Sequence, residues 1–288
     1  MVVAFEKYHG TGNDFLICGA DEAVDWGAFA IEHCDRETGI EVDGRRGADG
    51  VLVLSLSGER VRMRLYQPDG GTAAMCGNGA RCAAQWAARR LRRLDTRERP
   101  EAASGAGGIG ADEFAIDTPA GERRARVGED TIEIEMGVPS FEPADVPLAR
   151  EEPLIREDVE GWEVTALNTG VPHAVVFVDD VSTTDLGAMA PPIRHAEVFP
   201  EGANVNLASP SERGFDQRTF ERGVEGETRS CGTGAVAIAA VAKRIGLVEG
   251  DRVSVSPPGG DLDVRVPDDG PAVLSGPVEF EGRGEVSP

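Results

Sequence analysis

The sequence predicts an α/β protein of the α+β type in which one structural unit occurs twice. Three landmarks appear in the same order in each half, separated by roughly 140–160 residues. They are a Thr-Gly turn at 11–12 and 169–170, a Cys-Gly-x-Gly-Ala motif at 76–80 and 231–235, and a Pro/Gly turn at 118–121 and 257–260. An ordered repeat of this kind indicates a duplicated fold, so we expect two similar domains related by a pseudo-twofold axis.

In the first half, the hydrophobic pattern predicts strands around the Thr-Gly turn, then a helix and a second pair of strands. Val61, Met63 and Leu65 alternate with arginines, which is typical of a half-buried strand. A turn at 67–71 leads to the first cysteine motif, and alanines at helical spacing predict a helix after it. The predicted elements are strands at 2–8, 15–18, 51–56 and 61–65, and helices at 26–34 and after Gly77.

Residues 95–112 are polar and rich in glycine, and we expect a loop there. They include a formal match to the dinucleotide-binding fingerprint at 105–110. No strand precedes this match, and a strand-like run at 114–117 follows it where a helix is required. The sequence therefore does not predict a nucleotide site.

The second half begins after a strand-like alternation at 132–136 and a proline-rich stretch at 139–153 that predicts an exposed crossover. An apolar run at 162–167 opens the second copy of the unit. Residues 236–245 are almost wholly apolar. We therefore expect a helix after Cys231 that is buried on most of its surface and ends at Gly246.

The 288-residue chain has a formal net charge of −22, with 51 acidic residues spread along its length. Dispersed acids favour a solvated acidic surface, whose self-repulsion is weakened by salt. We therefore expect a salt-adapted, halophilic protein. The same charge repels a polyanion, so nucleic acid is not an expected partner.

The five cysteines include no C-x-x-C pair, so we expect neither a disulfide framework nor a metal site. The N-terminus lacks the pattern of a secretory signal, and no apolar run has the length of a membrane span. These features predict a cytoplasmic protein without membrane partners. Cys18, Cys34 and Cys82 are expected to be buried core residues.

The two cysteine motifs predict a thiol at the start of a helix in each domain. Helix N-termini favour anions, including a thiolate and a substrate carboxylate. With twofold symmetry, both helices would point at one site between the domains. A thiolate could then remove a proton from one face of a carbon while a thiol delivers one to the other face, without a cofactor. The N–H groups would stabilise the charge that develops on the substrate.

The chain resembles the diaminopimelate epimerase family of pyridoxal-phosphate-independent amino-acid epimerases over essentially its whole length. The segments that carry the resemblance are 9–15, 76–81, 170–173, 203–204, 221–223 and 227–234. The resemblance implies cofactor-independent conversion of LL-2,6-diaminopimelate to meso-diaminopimelate, a step of lysine biosynthesis. The implied partner is this small amino-acid substrate, and a homodimer is implied as well.

The family roles transfer to this chain residue by residue. By resemblance, Cys76 and Cys231 form the thiolate/thiol pair, and His173 and Glu221 assist it. Arg222 corresponds to the arginine that binds the distal carboxylate of the substrate. The residues implied to bind substrate are Asn13, Gln67, Gly77, Asn78, Asn204, Glu221, Arg222, Gly232 and Thr233.

Three positions depart from the pattern of bacterial members. Val171 and Gln67 stand where asparagines are common, and Gly50 stands where the family has a glutamine. Two of these changes fall where the distal end of the substrate should be recognised. Val171 cannot donate a side-chain hydrogen bond, so the resemblance predicts the reaction type more firmly than the exact substrate.

The resemblance also implies the architecture of each domain, a mostly antiparallel, barrel-like sheet around a central helix. We expect domains at 1–135 and 136–273, with the C-terminal strand, at about 274–285 within the segment 274–288, returning to the first.

Two other functions stay open. Proline racemase-type enzymes also use paired cysteines on glycine turns, but they usually lack a segment like Glu221-Arg222-Gly223. An amino-acid-binding or isomerase-like relative could keep the fold without two-base catalysis, although the retention of both cysteines argues against it.

Overall fold

The computed structural model describes residues 1–98 and 112–288, and for residues 93–98 and 112 it describes the backbone alone. The chain divides into two compact units, Met1–Ile134 together with Gly276–Pro288, and Glu135–Ser275. Each unit combines a mostly antiparallel sheet with one long buried helix, which confirms the predicted α+β class.

The elements alternate between strands and a few helices along the chain. In the first half of the chain they are β1 (Val3–Gly10), β2 (Asn13–Gly19), α1 (Trp26–His33), β3 (Glu41–Val42), β4 (Arg45–Arg46), β5 (Val51–Ser57), β6 (Arg60–Tyr66), β7 (Thr72–Ala73), α2 (Gly77–Glu98), β8 (Asp112–Thr118), β9 (Gly121–Val127) and β10 (Ile132–Gly137). The rest are β11 (Glu157–Val159), β12 (Trp162–Asn168), β13 (Pro172–Phe177), α3 (Leu186–Arg194), β14 (Asn204–Pro210), β15 (Gly214–Glu221), β16 (Gly226–Thr228), α4 (Gly232–Arg244), β17 (Arg252–Ser256), β18 (Leu262–Arg265), β19 (Ala272–Gly276) and β20 (Glu279–Val286).

The sheet of the first unit runs in the order β20, β1, β2, β5, β6, β8, β9 and β10. The β2–β5 and β6–β8 pairs are parallel, and the others are antiparallel. Thr11 and Gly12, with φ of 53° and 79°, form the two-residue turn between β1 and β2. Positive φ at both positions matches the twist of the flanking strands.

The sheet of the second unit repeats this pattern pair by pair. Its order is β11, β12, β13, β14, β15, β17, β18 and β19, with β13–β14 and β15–β17 parallel and the others antiparallel. The internal repeat that the sequence landmarks indicate therefore extends to the order and orientation of the eight strands of each sheet.

The long helices α2 and α4 each contact at least five strands of the sheet in their own unit. Small residues, mainly alanine, cover their buried faces and let the sheet approach closely. In α4 every residue from Gly234 to Ala242 is buried, as its apolar sequence predicts. Gly246, with φ of 77°, follows α4 and donates to the Lys243 carbonyl at 3.2 Å, which ends the helix as expected.

Two segments differ from the sequence-based expectation. Helix α2 continues to Glu98, so the loop expected from residue 95 begins later, because no glycine or proline interrupts the helix before Pro100. The fingerprint match at 105–110 lies outside the described residues. The segment expected as one returning strand at 274–285 is divided between β19 and β20, and β20 alone pairs with β1 of the first unit.

Helix α3 was not predicted, since it is short and contains Pro191 and Pro192. Asp185 caps it by accepting a hydrogen bond from the Ala188 N–H at 3.1 Å.

Candidate active site

The first unit presents Cys76 immediately before α2, where the first helical turn folds back on the thiol. The Gly79 N–H points at Sγ across 3.4 Å, and the Ala80 N–H bonds the Cys76 carbonyl at 2.8 Å. Sγ also lies 3.7 Å from Oδ1 of Asn13, to which the thiol can donate. A helix-terminal N–H on the sulfur is the arrangement that stabilises a thiolate.

Asp49 sets the orientation of the Asn13 amide group. Asn13 Nδ2 donates to Asp49 Oδ2 at 2.7 Å, and a carboxylate can only accept. The Asn13 carbonyl oxygen therefore faces Cys76 and also accepts from Asn78 Nδ2 at 3.3 Å. Arg36 in turn bonds Asp49 and so holds the carboxylate in place.

Behind this pair lies a buried ion pair between Lys7 and Asp14. Their Nζ and Oδ2 atoms are 3.1 Å apart and both side chains are fully buried. Burial raises the pKa of the Asp14 carboxyl, but Arg36 and Lys7 outweigh that effect and hold it below its usual value. Lys7 also lies 3.4 Å from Glu281 on β20, which ties the C-terminal strand to this cluster.

Arg81 is a fully buried cation one turn into α2. Its guanidinium donates to three neutral acceptors: Asn78 Oδ1 at 2.7 Å, Pro277 O at 3.1 Å and Thr11 Oγ1 at 3.2 Å. In the described part of the chain no carboxylate lies within ion-pair distance. Burial lowers the pKa of Arg81 to about 10, and its electrostatic interaction with the neighbouring sulfur groups of Cys82 and Cys76 opposes this shift. Arg81 thus adds positive charge beneath the start of α2.

The second unit presents Cys231 as the N-cap of α4, in the position that Cys76 has in the first. Sγ lies 3.4 Å from Thr233 Oγ1, and the Cys231 carbonyl accepts from the Ala235 N–H at 2.9 Å. Gly234 packs against the sulfur, since a Cβ there would lie 3.2 Å from Sγ. Thr169 Oγ1, on the turn equivalent to Thr11-Gly12, donates to the Thr233 carbonyl at 3.0 Å.

His173, on β13, is fully buried in the same unit. Its Nδ1 lies 2.8 Å from Asn206 Nδ2, while Nε2 has no hydrogen-bond partner among the described residues. Burial lowers the pKa of His173 to about 3, and the nearby charge of Arg222 acts in the same direction. The hydrogen bond with Asn206 opposes this shift. His173 is therefore a neutral imidazole at physiological pH.

Glu221 and Arg222 lie at the end of β15. Glu221 Oε1 accepts a hydrogen bond from Thr228 Oγ1 at 2.5 Å. The Arg222 N–H donates to Asn204 Oδ1 at 2.7 Å, and its guanidinium donates to the Glu201 carbonyl at 3.3 Å. These contacts bring Asn204, Glu221 and Arg222 together around the end of this strand.

The remaining site residues of the sequence analysis lie on turns and helix starts. Gly77 and Asn78 form the first turn of α2, and Gly232 and Thr233 that of α4. Gln67 is half-buried after β6, where its main chain closes a turn with Gly70 and Gly71.

Two departures from the family pattern have distinct structural settings. A Cβ at Gly50 would lie 2.7 Å from the Tyr66 carbonyl, so a glutamine does not fit there without a backbone shift. Val171 lies half-buried beside Gly170 at the start of β13.

Sequence reasoning did not single out five residues that support the site: Asp49, Arg81, Asn206, Gln217 and Thr219. Arg81 belongs to the first cysteine motif, and its second-copy counterpart is Val236, so this difference between the repeats was a usable signal. Of the other four, Asp49 lies just before β5 and the rest lie within β14 and β15, and only strand register shows what they contact.

The other cysteines differ from the two at the helix starts. Burial raises the pKa of Cys18 and Cys34 to about 12, and it raises that of Cys82 as well. Such thiols are inert. Within residues 1–98 and 112–288, no group of three or more His, Cys, Asp or Glu residues could hold a metal ion. None of the helices described is long and apolar enough to cross a membrane.

Comparison with known proteins gives consistent matches over nearly the whole chain. The family model described as diaminopimelate epimerase matches residues 5–142 and 165–281. The diaminopimelate epimerase of Methanocella arvoryzae is 40% identical over 294 residues, covering 99% of this chain and 96% of the relative. That of Methanothrix thermoacetophila is 40% identical over 297 residues, covering 98% and 95%.

A solved structure shares the fold at much lower identity. The Bacillus anthracis phenazine biosynthesis protein of the PhzF family superposes with a TM-score of 0.68 at 16% identity, and all of both chains is covered.

Proposed function

The chain belongs to the diaminopimelate epimerase family, and we propose that it interconverts LL- and meso-2,6-diaminopimelate in lysine biosynthesis. The reaction inverts one α-carbon, which requires removal of a proton from one face and delivery of a proton to the other. The observation that carries the proposal is the duplicated helix start. Cys76 and Cys231 each stand before a long buried helix, in matched positions of two units with one strand topology.

In the proposed mechanism, one cysteine acts as a thiolate base and the other as a thiol acid. The α-proton is transferred to the thiolate, and the other thiol protonates the opposite face of the carbon. The charge that develops on the α-carboxylate is stabilised by N–H groups at the starts of α2 and α4, around Gly77, Asn78, Gly232 and Thr233. No cofactor takes part in this scheme.

The proposed substrate contacts follow from the chemistry of the side chains. Arg222 can bind the distal carboxylate through its planar pair of donors. Asn13, Gln67 and Asn204 supply amide groups for the amines and carboxylates, and Glu221 is suited to a substrate ammonium group or to assist a cysteine. His173 assists as a neutral group.

The proposal is tested by isotope exchange. The purified protein is incubated in deuterated water with LL-diaminopimelate, with proline and with other amino acids in separate reactions. Deuterium entry at the α-carbon of diaminopimelate alone supports the proposal. Exchange only in proline or another amino acid would favour a different cofactor-independent racemase or epimerase, such as the proline racemase type. Exchange in none of the amino acids would favour a relative without two-base catalysis.

The two-base mechanism makes a separate claim about the cysteines. Cys76→Ala and Cys231→Ala are each expected to lower the epimerisation rate at least about hundredfold, since each removes one of two proton-transfer groups. Cys34→Ala, a change of a buried thiol in the core, is the matched control and keeps activity. Full activity in either of the first two variants would refute the mechanism.

We further propose that the protein works in a salt-rich cytoplasm, as a homodimer. The net charge of −22 supports the first part, because salt screens repulsion among surface acids. A melting temperature that is higher in molar than in millimolar salt is the expected result, and an unchanged one contradicts it. Sedimentation at matched salt tests the dimer.

A further inference from the structure

Four buried side chains of the second unit form a chain of hydrogen bonds that begins at the main chain of Cys231. Gln217 Nε2 lies 3.2 Å from the Cys231 carbonyl oxygen and 2.8 Å from Thr219 Oγ1. Thr219 Oγ1 lies 3.0 Å from Asn206 Oδ1, and Asn206 Nδ2 lies 2.8 Å from His173 Nδ1. Each of the four side chains is at most 2% exposed. Together these residues are termed the relay.

The strand register explains how the relay is assembled. Asn206 on β14 stands directly opposite Thr219 on β15, and Gln217 lies two residues from Thr219 on the same face of that strand. None of these residues lies in the cysteine motifs.

The direction of every hydrogen bond in the relay follows from its first member. A main-chain carbonyl can only accept, so Gln217 must present its NH₂ group to Cys231. The same NH₂ group then donates to Thr219, whose hydroxyl proton is left for Asn206 Oδ1. The Asn206 amide is thereby oriented with its NH₂ group towards His173, and Nδ1 of the imidazole must accept.

The reversed arrangement is unfavourable in a buried setting. If the Gln217 amide were turned over, its carbonyl oxygen would face the Cys231 oxygen at about the same separation, with two acceptors in contact. If the Asn206 amide alone were turned over, the Thr219 hydroxyl proton would lose its acceptor. In the orientation described above, Gln217 Oε1 is the one amide atom of the relay without a partner among the described residues. Turning either amide over adds a further unsatisfied or repulsive contact at a cost of roughly 1–3 kcal/mol, so the orientation described above is preferred.

We propose that the relay holds His173 as the neutral tautomer protonated at Nε2, so that His173 serves catalysis as a hydrogen-bond donor and not as a proton acceptor. Asn206, Thr219 and Gln217 are then positioning residues of the active site. This inference rests on the proposed function for its catalytic meaning, whereas the tautomer can be measured without any activity.

Two features of the site agree with a donor role. The Nε2 atom is buried and has no partner among the described residues, so its proton is available to a ligand. The charge of Arg222 and the burial of the ring disfavour the imidazolium form. A neutral N–H donor stabilises an anion such as a thiolate or a carboxylate without adding a competing acid.

The tautomer is tested by NMR of protein labelled with nitrogen-15 in its histidines, with two-bond correlations between ring protons and nitrogens at neutral pH. The four histidines are assigned with the His173→Gln variant. The expected wild-type pattern is a pyridine-type Nδ1 and a pyrrole-type Nε2 for His173. A protonated Nδ1 in the wild-type protein would overturn the proposal.

Variants of the relay residues test the direction of its hydrogen bonds. Asn206→Asp replaces the donor beside Nδ1 by an acceptor, so Nδ1 is expected to gain a proton and its signal to become pyrrole-type. Thr219→Val breaks the relay one step further away, and a mixture of tautomers is expected, while Thr219→Ser keeps the hydroxyl and the wild-type pattern. Thr165→Val removes another buried hydroxyl, which accepts from the Arg156 N–H, and is the matched control.

Activity gives a second measurement. Asn206→Asp and Thr219→Val are expected to lower kcat for diaminopimelate about tenfold to a hundredfold, because the reaction would lose one hydrogen bond to a charged group. Thr165→Val is expected to leave kcat unchanged. Unchanged Nδ1 signals in Asn206→Asp would overturn the relay. A wild-type tautomer as expected, without deuterium exchange in diaminopimelate, would support the relay and refute the proposed function.

Discussion

Replacing the second glycine of each cysteine motif by alanine should change the free energy of unfolding differently in the two copies, with a clear loss only in the second. Gly79 and Gly234 occupy the same helical position in α2 and α4. A Cβ at Gly79 would lie 3.3 Å from Leu52 Cδ2, the end of a flexible side chain. A Cβ at Gly234 would lie 2.2 Å from Asn206 Oδ1 and 2.8 Å from Gln217 Nε2, inside the relay.

The magnitudes follow from these contacts. In both helices alanine gains up to about 1 kcal/mol over glycine from backbone entropy. At Gly79 the small shift of Leu52 cancels part of that gain, so the variant should be unchanged or up to about 1 kcal/mol more stable. At Gly234 overpacking costs about 1–3 kcal/mol, and a broken relay bond costs about as much again. After the gain of about 1 kcal/mol from backbone entropy is subtracted, a net loss of about 1–5 kcal/mol is expected for Gly234→Ala.

Urea unfolding of both variants and the wild-type protein, at one fixed salt concentration, measures the difference. The midpoint should fall for Gly234→Ala and stay or rise for Gly79→Ala, with similar slopes. Equal stability of the two variants would refute the close packing of Gly234 against the relay.

The remaining predictions concern buried charges and the backbone. Asp14→Asn leaves the Lys7 ammonium without one of its carboxylates and should lower the free energy of unfolding by about 3 kcal/mol; an unchanged urea midpoint would contradict this. The folded pKa of Asp14 lies below its unfolded value of 3.8, so its contribution to the free energy of unfolding is present above about pH 4 and is lost as the pH falls through the folded pKa. The melting temperatures of the wild-type protein and of Asp14→Asn should therefore approach each other as the pH falls. Arg81→Met removes the buried positive charge beneath the start of α2 and should slow epimerisation about tenfold or more while the fold persists. A wild-type kcat in this variant would show that the charge of Arg81 does not assist the reaction. Gly202→Ala places a Cβ against Arg194 at a φ of 68° and should cost at least about 1–2 kcal/mol, which thermal melting checks; a wild-type melting temperature would contradict it.

Local patterns predict most of the longer elements of the first unit and, in the second, β12 and α4. The alternation at Val61, Met63 and Leu65 gives β6, and the apolar run after Cys231 gives α4 with its end at Gly246. The sequence pattern does not predict helix α3, because the helix is short and its two prolines obscure the helical periodicity. The composition of residues 95–112 predicts too early an end for α2, because the helix continues to Glu98 where no glycine or proline interrupts it.

The sequence by itself determined the duplication, the α+β class and the pair of helix-start cysteines, because these depend on residues that are close along the chain or that repeat in order. Tertiary structure alone decided what surrounds each cysteine. Asn13 is oriented by Asp49, and His173 by a relay from Gln217, through contacts between residues far apart in sequence. The physical reason is that strand register and parallel crossovers choose these neighbours, and a single polar residue carries no mark of which strand it will face.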